Sequence, residues 1–91
     1  PAVTRDLSLV VPHAVLAGQI EEIFDQRGGN ILESYQLFDI YEGAQIEKGF
    51  KSMAYSLVFR AHDKTLGENE ISAVMKKIMN GLNGLGIELR S

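Results

Sequence analysis

Asp39, Tyr41 and Ser52 are the side chains of this sequence whose types and spacing could hold a flat, polar ligand. Asp39 and Tyr41 stand two apart in Leu37-Phe38-Asp39-Ile40-Tyr41, so an extended chain puts them on one face. Ser52, Ala54 and Ser56 alternate in the same way further on, with Arg60 in the same phase. A carboxylate only accepts hydrogen bonds, so Asp39 suits a group with two adjacent donors. Among the nucleobases that group is the Watson–Crick edge of guanine, through its ring N–H and exocyclic amine. Tyr41 could stack on a base, at about 1–3 kcal/mol per stacked base. A hydroxyl such as Ser52 can donate or accept and so serve a second polar atom. Small Ala54 and Ser56 would let a base lie close to the strand. Physics alone leaves a second reading open, with Asp39 as an edge-strand charge that blocks aggregation. Tyr41 is then a half-buried strand aromatic, and the serines are solvated strand positions.

Alternation and helical spacing supply the elements that must position these groups. Residues 4–11 alternate, with Leu7, Leu9 and Val11 on one face and Asp6, Ser8 and Val10 on the other, and Pro12 ends the strand. Over residues 15–27 the spacing of Leu16, Ile20, Ile23 and Phe24 becomes helical, and Gly28-Gly29 closes the helix. A second strand is predicted over 31–41, with Phe38 and Ile40 on one face and Leu37, Asp39 and Tyr41 on the other. The loop 42–49 leads to a third strand over 51–61, with Met53, Tyr55, Leu57 and Phe59 inward. Thr65-Leu66-Gly67-Glu68 has the spacing of a capping box, opening a helix striped by Ile71, Val74, Met75, Ile78 and Leu82. Gly81, Gly84 and Gly86 are expected to break it before a short strand over 87–89. The order βαββαβ, with right-handed crossovers, predicts an α+β, ferredoxin-like fold: a four-stranded antiparallel sheet with two helices on one face. Ser8, Val10, Asp39, Tyr41, Ser52, Ala54 and Ser56 would then line the uncovered face.

Composition narrows the function classes. Ninety-one residues make one domain, residues 1–91, burying roughly 60–65% of its unfolded surface. The start at Pro1 suggests a piece of a larger protein. No apolar run reaches the roughly 18–20 residues of a membrane span. Cysteine is absent, which removes disulfides and thiolate metal sites. A net charge of −3 argues against indiscriminate nucleic-acid binding, yet Arg5, Lys48, Lys51, Arg60 and Arg90 fall on or beside predicted strands as candidate phosphate contacts. His13 and His62 lack the spacing of a metal pair and read as exposed loop residues. No nucleophile–His–acid set is visible, so no catalytic residue and no metal ligand is assigned. The glycines at 81, 84 and 86 follow a helix rather than precede one, so they do not form a phosphate loop. An acylphosphatase-type hydrolase would need an arginine in the first loop, and residues 11–15 have none. The main alternative is a small-molecule-binding regulatory module of the same fold.

The quoted residues also resemble a family. Leu37-Phe38-Asp39-Ile40-Tyr41, Gly49 and Lys51-Ser52-Met53-Ala54-Tyr55 are similar to the signature of the ferredoxin-fold anticodon-binding domain. Arg5-Asp6-Leu7, Leu9-Val10-Val11, Lys64-Thr65-Leu66 and Gly86-Ile87-Glu88-Leu89-Arg90 are similar to its other markers, so the resemblance covers nearly the whole chain. This domain ends the β subunit of bacterial phenylalanyl-tRNA synthetase and the single-chain mitochondrial enzyme, and the intact Leu-Phe-Asp-Ile-Tyr segment favours the bacterial type. The resemblance implies a module that grips the anticodon stem-loop of tRNA-Phe and reads the first anticodon base, a guanine. It places RNA contacts at Asp39, Tyr41 and Ser52, to which the chain's own pattern adds Ala54, Lys51, Arg5 and Arg60. For the parent it implies a cytoplasmic, ATP- and Mg²⁺-dependent ligase with an α₂β₂ assembly, the α subunit being a partner, and no cofactor in the domain itself. Gly67 departs from the family, where a better helix-capping residue is usual; the difference is expected to cost a few tenths of a kcal/mol at most if Thr65 caps instead, about the size of a Gly cap replacement. Tyr35 occupies a position with no fixed residue in the family.

Overall fold

The computed structural model describes residues 1–91. Its elements run β1 (Val3–Pro12), α1 (Ala17–Arg27), β2 (Leu32–Tyr41), β3 (Phe50–Phe59), α2 (Glu68–Asn83) and β4 (Glu88–Leu89). The four strands form one antiparallel sheet in the order β2-β3-β1-β4, the predicted ferredoxin-like α+β architecture. Leu7, Leu9 and Val11 of β1 and Met53, Tyr55, Leu57 and Phe59 of β3 are buried in one core. Ile20 and Phe24 of α1, and Ile71, Ile78 and Leu82 of α2, join them. Each such side chain contributes about 1.5–3 kcal/mol on burial, so this face alone accounts for where the helices sit. Met75 and Met79 pack against its margin.

Phe24 is the wedge between α1 and the sheet. Its ring lies 5.2 Å from that of Tyr35 and 5.0 Å, edge-on, from that of Tyr55. Both hydroxyls turn back to the helix: Tyr35 donates to Asp25 at 2.8 Å and Tyr55 to Glu21 at 3.0 Å. The bond to Asp25, helped by burial and the carboxylate's charge, pushes the Tyr35 phenol up to about 12. Burial, then the bond to Glu21, raises that of Tyr55 further. Tyr35 is thus part of the structure, although nothing in the sequence pattern singled it out.

Four local expectations are corrected. Leu16, expected in the apolar stripe of α1, stands at the N-cap, exposed, because the helix begins one residue later. The N-cap of α2 is Gly67, not Thr65, and the reciprocal carboxylate is Glu70 rather than Glu68. Glycine has no side chain to cap with, so the Glu70 carboxylate alone serves the helix start, accepting from the Gly67 N–H at 3.4 Å. Gly81 does not break α2, which continues to Asn83. It is buried where the helices meet, and a Cβ there would lie 2.8 Å from Ile23 Cγ2 and from Arg27 Nε. The left-handed turns that glycine alone takes easily fall instead at Gly29, Gly49 and Gly86.

The fourth correction concerns β2, where strict alternation fails. Leu37 pairs with Tyr55 but Asp39 pairs with Ala54, so Phe38 is an extra residue opposite a single step of β3. This β-bulge puts Leu37 on the helix side, packed against the core, and Asp39 on the open side. Leu37 and Asp39 therefore do not share a face. Phe38 and Ile40 are not core residues; both are more than half exposed.

Candidate nucleic-acid interface

The bulge decides what the open face displays near its β2 edge. Beyond it the register continues Asp39↔Ala54, Ile40↔Met53 and Tyr41↔Ser52. On the far side of β3 the same rows continue as Ala54↔Ser8 and Ser52↔Val10, and Val10 pairs with Glu88 of β4. Two adjacent rows thus cross the open sheet: Asp39, Ala54, Ser8, and Tyr41, Ser52, Val10, Glu88. Neighbouring strands lie about 4.8 Å apart, so Asp39 and Tyr41 border a small-residue floor made by Ala54 and Ser8. Asp39 is exposed, and its carboxylate forms none of the ion pairs found in the chain.

Tyr41 does not stand free on the strand. A Cβ built at Gly43 would overlap both its hydroxyl oxygen and the adjoining ring carbon. The ring therefore lies against the backbone of the β2–β3 loop, residues 42–49, and 37% of the residue remains exposed. The loop is held at its base by the His13 N–H donating to the Gly49 carbonyl at 2.9 Å, and internally by the Ile46 N–H donating to Gly43 at 3.0 Å. His13 Nε2 also approaches Glu42 Oε1 at 3.1 Å. Buried Ile46 anchors the loop, a role the polar composition of 42–49 hid from the sequence. An open cavity of about 570 Å³ lies within this loop, lined by His13, Gly43, Ile46 and Phe50 among others. No group of three or more His, Asp or Glu side chains gathers to hold a metal ion.

Ser52 lies on the open face, as alternation predicted, but it is buried to 4% exposure. Its Oγ accepts a hydrogen bond from Nη1 of Arg90 at 3.3 Å. The arginine follows β4, so its side chain must cross β1 to reach β3. Sequence reading missed this contact, because pairing of the last strand with β1 is not visible in residues 87–90 themselves.

The cations named from the sequence scatter. Arg5 pairs with Leu57, a core position, and its guanidinium meets Glu68 of α2 at 2.6 Å on the helix side. Lys51 pairs with the buried Val11 and so has the phase of the helix side, opposite to Asp39. Arg60 is in the phase of the open face but eight residues beyond Ser52, about 26 Å along the strand, and it bonds Glu33 at 2.9 Å. The structure therefore brings together Asp39, Tyr41, Ser52 and Ala54, and separates them from Arg5, Lys51 and Arg60.

The model of the family described as "Ferredoxin-fold anticodon binding domain" matches residues 1–90. The chain is 50% identical over 91 residues to the phenylalanine–tRNA ligase β subunit of Clostridium tetani, covering 99% of the chain and 12% of that protein. It is 43% identical to the β subunit of Symbiobacterium thermophilum, covering 100% of the chain and 10% of that protein. The chain thus spans about a tenth of the length of these relatives. Among solved structures, a cryo-EM structure of Arabidopsis thaliana MSL1 superposes with a TM-score of 0.56 at 16% identity, over 99% of this chain and 33% of that one. At that identity the likeness concerns the fold alone.

Proposed function

This chain belongs to the ferredoxin-fold anticodon binding domain family, and from that premise we propose that it reads the first anticodon base, a guanine, on its open sheet face. It does so as the anticodon stem-loop-binding module of a phenylalanine–tRNA ligase β subunit. The observation that carries this reading is the bulge at Phe38. It sets the Asp39 carboxylate beside the Ala54–Ser8 floor and one row from Tyr41, on the face no helix covers. Asp39 accepts from the guanine N1–H and N2–H, and Tyr41 supplies the aromatic surface for stacking. Ala54 admits the base close to the sheet. Ser52 acts through the arginine it holds. Arg5, Lys51 and Arg60 serve at most as outlying phosphate contacts that position the RNA without reading it.

The module performs no chemistry. The ligation, attachment of phenylalanine to its tRNA with ATP and Mg²⁺, belongs to other domains of a cytoplasmic α₂β₂ parent whose α subunit is the module's further partner. The test is an NMR titration of the chain with a tRNA-Phe anticodon stem-loop carried to millimolar RNA, where even weak binding registers. Shifts should gather at Asp39, Tyr41, Ala54 and Ser8. Shifts confined to the helix side, or none, would overturn the proposal.

A further inference from the structure

The β2–β3 loop that backs Tyr41 is closed on itself. The Ile46 N–H donates to the Gly43 carbonyl at 3.0 Å and the Phe50 N–H to the Glu47 carbonyl at 3.1 Å, so 43–46 and 47–50 are two consecutive turns. What remains to be fixed is how this unit sits on the sheet. Buried Ile46 anchors it. From outside the loop, His13 alone lines its cavity, every other lining residue belonging to 42–50.

His13 reaches the loop twice. Its backbone N–H donates to the Gly49 carbonyl at 2.9 Å, and its imidazole Nε2 stands 3.1 Å from Glu42 Oε1. His13 follows the end of β1 and Glu42 the end of β2, strands that are not neighbours, because β3 lies between them. The side-chain contact therefore crosses the start of β3 at Gly49, which carries no side chain to block it. Glu42 in turn is the residue between Tyr41 and Gly43, the ring and the backbone it lies against. The pair is placed to set how closely the loop meets the ring. Its contact is an attraction between charges, so it needs a protonated imidazole. Histidine is the side chain that changes charge between about pH 5 and 8, whereas carboxylates and ammonium groups stay charged across that range. The other charged groups around the cavity are Glu47 and Lys48, of opposite sign.

We infer that His13 is a positioning residue of this site: protonated, it draws Glu42 across the start of β3 and so holds Gly43 against the Tyr41 ring on which a base stacks. The inference rests on the stacking role proposed above for Tyr41. As pH rises and the imidazole loses its proton, the attraction fades and the ring loses its backing. The His13 and Glu42 side chains are 70% and 53% exposed, so the effect is modest, up to about five-fold in an equilibrium. A phosphate is the competing partner for the same imidazolium, and it leaves a different signature. A phosphate contact acts whatever base is present, whereas a contact made through Tyr41 acts only when there is a base to stack.

The experiment compares the chain with its His13→Ala, His13→Arg and Glu42→Gln variants between about pH 5 and 8. All three keep the backbone bond to Gly49, so only the side-chain contact is altered. In the free protein, NMR follows the Gly43 α-protons, which the adjacent Tyr41 ring displaces. That displacement should shrink with rising pH in the unaltered chain and stay large at every pH in His13→Arg. In His13→Ala and Glu42→Gln it should be reduced and independent of pH. The RNA probes are anticodon stem-loops with guanosine or an abasic residue at the first anticodon position. From the low to the high end of the range, the unaltered chain should lose up to about five-fold in affinity for the guanosine probe. His13→Arg should lose none, and the abasic probe should register no change. A loss equal for both probes, with the Gly43 signal unmoved, would reassign His13 to a phosphate. A Gly43 signal independent of pH in the unaltered chain would remove the clasp. If the unaltered chain binds the two probes equally, the failure lies in stacking at Tyr41, and the Gly43 signal still decides the part given to His13.

Discussion

In the proposed reading, base identity turns on Asp39. It is exposed and makes no ion pair, so its removal leaves no buried group unsatisfied. Asp39→Ala should cost about 1–3 kcal/mol against a guanine-bearing stem-loop, with a circular-dichroism melting curve close to that of the unaltered chain; a collapse of the melting temperature would make the residue structural. The sequence alone made Asp39 conspicuous but gave it the wrong neighbour. Counting two by two from Leu37 puts both residues on one face, and since Leu37 packs on the core, Asp39 would be turned inward. Only the unpaired Phe38 corrects the phase, and an extra residue in a strand leaves no mark in a pattern of apolar positions. Tyr35 makes the converse point: a residue with no apparent role closes a hydrogen bond to α1. Its raised phenol pKa means that the bond's contribution is complete below the ordinary tyrosine range and is lost as pH rises through about 12. An ultraviolet titration should therefore show Tyr35 ionising well after a free tyrosine, and Tyr35→Phe should remove that late component.

At the scale of elements, the β2–β3 loop and the helix pair make separable predictions. The loop presses Tyr41 into place through the absence of a side chain at Gly43. Gly43→Ala should turn the ring aside and weaken binding of whatever base stacks there, by up to the about 1–3 kcal/mol that a stacked base is worth, without changing stability by more than a few tenths. Stem-loop titration beside a urea melt distinguishes the two effects. Gly81→Ala should act the other way, on stability alone. The gain in helix propensity is about 1 kcal/mol, but the new methyl meets the stiff Ile23 Cγ2 at 2.8 Å. Overpacking of this kind costs about 1–3 kcal/mol, so the variant should be destabilised in urea, and a more stable variant would show that the helices part freely. At the start of α2, Lys64 and then the Gly67 N–H hold the Glu70 carboxyl below its usual range. That contribution is present above the ordinary carboxylate range and fades as pH falls through the lowered value. The protection of the Gly67 amide, measured as its exchange rate against that of an unstructured peptide at the same pH, should accordingly fall on acidification. Element order and type were legible because periods of two and of three to four residues are strong signals in long segments. The caps were not, since Gly67 caps with a neighbour's side chain rather than its own.

For the whole molecule, the division of labour between the two sheet faces is the organising fact. One face is committed to two helices and to the Arg5–Glu68 ion pair that ties β1 to the start of α2; the other carries small residues, the carboxylates of Asp6, Asp39 and Glu88, the ring of Tyr41 and an arginine that arrives from the far edge. The fold could be derived from the chain because β1 and β3 announce their buried faces, whereas the bulge conceals that of β2. The candidate site could be derived only in part: Ala54 follows from strand phase, Asp39 and Tyr41 join it only through the bulge, and the contact of Arg90 with Ser52 depends on the pairing of β4 with β1, which joins residues some eighty positions apart. With a net charge of −3 and most cations paired or turned away, RNA binding should depend only shallowly on salt, with a log–log slope of about −1 to −2 for one or two phosphate contacts. The most direct measurement crosses the base with the carboxylate: affinities of the chain and of Asp39→Ala for anticodon stem-loops differing only in the first base. The unaltered chain should favour guanine over adenine by about ten-fold or more and Asp39→Ala should bind the two within about two-fold, the span that a bidentate contact covers. Equal preference in the two proteins, or none in either, would contradict the reading of a guanine by this face.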